Sequence, residues 1–221
     1  MKISKFLVMA AAALMLAACS KVPAGNVGVK VYLLGSSKGV DVEELGPGRY
    51  WIGWNEDLFL FPTFSQNYTW TKEPIDGDPT DESISFQTVE GLTVNSDIGI
   101  SYSVDPRKVS VLFQKYRKGI EEITDGYLRN MVRDALVISA SGRSIETVYG
   151  VGKAALIKDV EDRVRAQVAQ FGIVIERIYW AGDLRLPEAV VKSINEKIRA
   201  TQLAQQRQNE VAQAKALAER A

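Results

Sequence analysis

"TVEGLTVNSDIGISYSVDP", residues Thr88 to Pro106, carries the clearest pattern in the chain. From Leu92 onward, Leu92, Val94, Ser96, Ile98, Ile100, Tyr102 and Val104 alternate with Thr93, Asn95, Asp97, Gly99, Ser101 and Ser103. A period of two sends successive side chains to opposite faces of a strand. With Ile84 to Val89 before a turn at Glu90-Gly91, the run predicts an antiparallel hairpin with one buried and one wet face. At Asp105-Pro106 the period changes to that of a helix, because aspartate is a good N-cap and proline fits the first helical position.

Downstream, Ile120, Ile123, Tyr127, Leu128, Met131, Val132 and Ala135 recur at helical spacing, with Asp125, Arg129, Arg133 and Asp134 between them. "SASGRS" (Ser139 to Ser144) breaks that helix, and Ser144 can cap a short turn. Ile157, Val160, Val164, Val168 and Phe171 form a second stripe, closed by Gly172 at the position after the helix. "IVIERIYW" (Ile173 to Trp180) reads as a strand, and one long helix follows Leu186-Pro187. Upstream, Val27, Val29, Val31 and Leu33 alternate as a half-buried strand. "DLFLFP" and "SQNYTWT" read as a further strand broken at Pro62, and "EPIDGDPTDE" (Glu73 to Glu82) as a loop. Strands flanked by helices in this order give an α+β class: an antiparallel sheet with packed helices, then a long C-terminal helix.

Composition removes many functions. The 221 residues are 46% hydrophobic and carry 27 basic against 27 acidic side chains, so nothing points to nucleic acid. Histidine is absent, which excludes His-ligated metals and Ser-His or Cys-His nucleophile pairs. A single cysteine, Cys19, allows no internal disulfide and no cysteine metal cluster. No catalytic residue, metal or cofactor is expected. Ser139 to Ser144 with Lys153 makes a poor serine-lysine site, and "GVGKAAL" (Gly150 to Leu156) lacks the spacing of a phosphate loop. Asn67-Tyr68-Thr69 matches a glycosylation acceptor, discounted here because the amino terminus points to a bacterial route.

That terminus has a basic start (Lys2, Lys5), an apolar run from Phe6 to Leu16, and small residues leading to Cys19. The run is shorter than the roughly 20 residues a spanning helix needs. Leu16-Ala17-Ala18-Cys19 resembles the lipobox of bacterial lipoproteins. The resemblance implies that residues 1–18 are a signal peptide and that Cys19 becomes an acylated first residue, with membrane lipid as its partner.

"VPAGNVGVKVYLLG", "LGPGRYW", "TVEGLTVNSDIGISYSVDP", "FGIVIERIYWAGDLRLPEAVVKSINEK" and the Ala/Gln/Glu/Lys-rich tail follow one another in the order of the stomatin/prohibitin/flotillin (SPFH, or Band 7) family, which the chain resembles over roughly residues 22 to 221. In wording it looks closest to prohibitins and to a bacterial periplasmic pair that restrains a membrane protease. Those relatives use a transmembrane or hairpin anchor where this chain offers a lipobox. The resemblance implies a Band 7 domain over 19–186 and a helical, coiled-coil-like oligomerisation segment over 187–221. It also implies a non-catalytic, membrane-tethered scaffold that forms a ring or cage, with a related second subunit and a membrane protease as candidate partners. The expected location is the cell envelope, facing the periplasm. Ser20 after the cysteine leans to the outer membrane, and the family's habits lean to the inner one.

Two surfaces are candidates for contact. Tyr50, Trp51, Trp54, Phe59, Phe61 and Phe64 form a dense aromatic group read first as hairpin core, with Trp51 and Trp54 as membrane-contact candidates. Val190, Val191, Ile194 and Ile198 form an apolar stripe at the start of the terminal helix and are the oligomer-interface candidates. Beyond Arg199 only Leu203, Val211 and Leu217 are large and apolar, and no strict heptad runs through them. The rival function is a monomeric envelope lipoprotein that binds a small ligand or envelope component.

Overall fold

The computed structural model describes residues 19–36, 38–73 and 81–218. Residues 1–18, expected to be a signal peptide, and most of the polar loop 73–82 therefore lie outside the described residues. Every strand pairing is antiparallel. β1 (Cys19–Val22) pairs with β4 (Gly48–Trp51). β2 (Asn26–Tyr32) lies between β3 (Gly39–Val40) and β5 (Glu56–Pro62). β9 (Ile98–Val104) lies between β6 (Gln66–Trp70) and β10 (Ile173–Trp180), and β7 (Ile84–Gln87) forms a hairpin with β8 (Thr93–Ser96). The expected single strand broken at Pro62 is thus two strands in different sheets.

The long alternation also divides, at Asp97. Its first half is the hairpin strand β8, turned at Gly91 in a left-handed conformation (φ 75°). Its second half, β9, is central and has no wet face. Ile98, Ile100, Tyr102 and Val104 fill one side, and Gly99 and Ser101 are buried on the other. A Cβ at Gly99 would lie 2.3 Å from the ring of its cross-strand partner Tyr179, so glycine leaves room for that ring to cover the strand. Ser101 donates a hydrogen bond to Asn67 on β6. Gly99 and Ser101, read as solvent-facing, are covered by side chains of the neighbouring strands, whereas Thr93 and Asn95 on β8 are exposed as expected.

Asp105 caps the next segment by accepting from the Arg107 backbone N–H at 3.0 Å, and Pro106 opens a short 3₁₀ turn into α1 (Val109–Tyr116). The helical repeat from Ile120 is not one regular helix. An α turn (Ile120–Glu122) widens into a π turn (Ile123–Leu128) before α2 (Arg129–Ala140). The wider turn brings Thr124 inward, where its hydroxyl donates to the Ile120 carbonyl at 2.8 Å and meets the Tyr102 hydroxyl at 2.5 Å. Ser144 caps α3 (Ile145–Tyr149). α4 (Lys153–Val168) buries Leu156, Val160, Val164 and Val168, a line that starts one residue earlier than Ile157. Gly172 (φ 87°) ends the following turn. α2 and α4 pack on each other and α4 on β10, which closes the core, and α5 (Glu188–Ala218) leaves it.

The Asp105 cap yields a prediction. Hydrogen bonding from the Arg107 backbone holds its carboxyl below the usual carboxylate range. A lowered folded pKa means the contribution is complete above the unfolded value of about 3.9 and is lost as pH falls through the folded value. Asp105→Ala is expected to cost about 1 kcal/mol at neutral pH. Thermal melts of both proteins should converge as pH falls below the ordinary carboxylate range, and a gap that stays constant with pH would contradict the cap.

Candidate functional site

Two regions of the fold carry the candidate residues. The first is the end of the amino-terminal sheets where the chain enters. Cys19 is the first residue of β1, and its Cα partner across the ladder is Trp51. Trp54 follows in the β4–β5 turn, which a 3.0 Å bond from the Gly53 N–H to the Glu56 carboxylate closes. That hydrogen bond holds the Glu56 carboxyl below its usual range, with Lys30 at 3.3 Å reinforcing it. Beside Trp54, the Asn55 carbonyl accepts from the Leu33 N–H and the Asn55 side chain donates to the Leu34 carbonyl, both at 2.9 Å. Trp51 (55% exposed), Trp54 (88%), Leu33 (49%) and Leu34 (57%) therefore share one end of the structure. The aromatic group divides. Phe61 is buried, Phe59 packs against Phe113 at 4.4 Å between centroids, and both tryptophans face out. Phe64 sits by Gly25, at the opposite end of β2.

The second region is where α5 leaves the domain. The Asp97 carboxylate pairs with both terminal nitrogens of Arg185 (2.6 and 2.8 Å) and accepts from the Lys72 N–H at 3.1 Å. Asn95 and Arg185 also exchange two backbone hydrogen bonds. This clamp fixes the chain three residues before the helix. The first turns of α5 then lie against α3: Ile194 is only 7% exposed, and Val190 packs on the core. Lys197 reaches Glu146 at 2.5 Å. α3 is itself held by Glu90 of the β7–β8 turn, whose carboxylate accepts from the Ile145 N–H. The Thr88 hydroxyl and that N–H keep the Glu90 carboxyl below its usual range.

The candidate stripe is thus split in use. Ile194 is spent on a contact within the chain, Val190 and Val191 are half-covered, and Ile198 is 46% exposed. Ile198 lines an apolar groove of about 320 Å³ together with Tyr149 and Val151. Val151, 97% exposed, was missed in the sequence because a lone valine after Gly150 carries no period. Past Ile198 every side chain described on α5, to residue 213, is exposed, Leu203 and Val211 included.

No group of three or more His, Cys, Asp or Glu side chains among the described residues is placed to hold a metal ion. None of the described helices is long and apolar enough to cross a membrane. The family model described as "SPFH domain / Band 7 family" matches residues 20–218.

The chain belongs to the SPFH/Band 7 family.

Band 7 proteins are generally membrane-associated, scaffold-like and non-catalytic, and they typically oligomerise. No curated protein matches the chain. The Band 7 match runs through the docked turns of α5 and on to residue 218, so the family pattern includes the helix as well as the sheets.

Proposed function

We propose that this Band 7 protein is a lipid-anchored scaffold of the bacterial envelope, acylated at Cys19 and facing the periplasm. Copies assemble side by side into a ring or cage and confine what reaches the enclosed membrane patch or a client such as a membrane protease. The proposal takes residues 1–18 as the signal peptide, 19–186 as the Band 7 domain and 187–221 as the assembly segment. It includes no catalytic step. A prohibitin-like second subunit is an admissible partner.

One observation carries the reading: a 31-residue helix leaves a well-packed core with its first turns docked and its side chains from 199 to 213 exposed. A lone helix with so little large apolar surface gains little from its own sequence. Neighbours on both sides supply the missing contacts, and modest contacts repeated round a closed ring add up. The alternative of a monomeric ligand-binding lipoprotein draws its support from the groove between Tyr149, Val151 and Ile198, whose size falls in the small-molecule range.

Light scattering with negative-stain imaging of the full chain, in detergent and on membranes, tests the choice. A large closed species whose population rises with concentration supports the scaffold. Ile198→Asp or Leu203→Asp should disrupt it more than changes at Gln205 or Gln208. A protein that stays monomeric at high concentration on a membrane, with and without a related second chain, favours the ligand-binding alternative.

A further inference from the structure

We infer that the end of the domain formed by Leu33, Leu34, Trp51 and Trp54 is a docking face for an anionic phospholipid bilayer, with Lys21 and Arg49 at headgroup depth. The inference rests on the membrane-anchored reading and adds which face meets the lipid and which lipid it prefers.

The first argument is where the chain enters. Cys19, the residue that carries the acyl chains on that reading, is itself paired in β1. An acyl anchor at Cys19 is thus joined to the folded domain with no intervening segment. The Cα of Trp51 lies directly across from Cys19, about 5 Å away for such a pair. Trp54 is three residues on, so its Cα is at most about 11 Å from that of Trp51. Whatever holds Cys19 at the bilayer holds these side chains there too. Tryptophan partitions to the interface and leucine to the hydrocarbon, so their exposure is costly in water and favourable at that depth.

The second argument is independent and concerns charge. Lys21 and Arg49 are direct cross-strand partners, both exposed, one pair along the ladder beyond Ser20 and Tyr50. Like charges directly opposite each other destabilise a strand pair. Neither is in an ion pair among the described residues. Arg49 and Trp51 are two residues apart on β4 and so share a face, separated by about 7 Å along the strand. That offset sets the two cations beside lipid phosphates when the tryptophan reaches the acyl boundary. An anionic surface removes the repulsion and attracts each charge.

The remaining tryptophans help to make the test selective, because Trp70 is fully buried and Trp180 is half-buried against Phe86. Full-chain protein, processed in cells and reconstituted into phosphatidylglycerol-containing vesicles, is compared in plain and acyl-brominated lipid by tryptophan emission and flotation. The protein is expected to float and to lose much of its emission to the brominated lipid. Trp51→Phe/Trp54→Phe should float equally and lose that quenching. Leu33→Asp/Leu34→Asp, at exposed sites away from the core, should float with most of the quenching gone. Lys21→Glu/Arg49→Glu should show the weaker quenching that wild type shows in phosphatidylcholine alone. Flotation without quenching, or quenching that survives the double Phe change, overturns the docking face and leaves the anchor standing. Equal quenching in the two lipids overturns the anionic preference, and failure to float overturns the face and the anchor together.

Discussion

Replacing Cys19 by alanine is expected to reduce incorporation of a fatty-acid analogue to background and to leave the protein unprocessed, or to release it if another peptidase cuts. Each buried methylene contributes about 0.8 kcal/mol to anchoring, so losing several acyl chains removes nearly all of it. The change is a clean one in this fold. The β1–β4 pairing uses the backbone of residue 19, which alanine retains. Metabolic labelling of growing cells followed by membrane fractionation measures the effect. Equal label on wild type and Cys19→Ala would remove the lipoprotein claim while leaving the Band 7 fold untouched.

Ending the chain after Ala200 is expected to leave a folded protein that no longer assembles. The cut belongs there and not at Leu186, because Val190 and Ile194 complete the surface of the domain and a shorter chain would uncover it. Side chains 201–213 are all exposed, so their loss should change stability by no more than about 0.5 kcal/mol. The assembled mass should nevertheless collapse to a monomer or a small species. Ile194→Ala should do the reverse and cost about 2 kcal/mol, in unfolding or in detachment of α5, before any effect on assembly. Calorimetry paired with light scattering separates the two. A chain ending at Ala200 that still forms the full-size assembly would move the interface onto the domain sides.

These contrasts mark where sequence reading succeeds and stops. Asp105-Pro106, Ser144 and Gly172 were readable because caps and left-handed turns are set by a few adjacent residues. The strand at Ile173 to Trp180 and the helix after Pro187 were readable for the same local reason. The wet face assigned to Gly99 and Ser101 failed because its covering comes from Tyr179 and Asn67, 80 and 34 residues away in sequence for those pairs. The π turn at Ile123–Leu128 brings Thr124 to the Tyr102 hydroxyl, a contact across 22 residues that no period encodes. At the candidate surfaces, composition picked out Trp51 and Trp54 but not Leu33 and Leu34, which join them only through Asn55. Ile194 and Ile198 lie on one stripe, and only packing against α3 tells them apart.

The clamp between Asp97 and Arg185 has a mechanical consequence. It fixes one end of a rod of 31 residues, about 46 Å long at the rise of an α-helix. The turns docked on α3 reach Lys197, so the free part is about 31 Å long, and a bend of about 15° there sweeps the far end through about 8 Å, close to the spacing between two packed helices. In the proposed assembly, a displacement of that size would decide whether adjacent rods touch along their length or splay apart. The leverage lies in the domain, and its effect is felt at the tip.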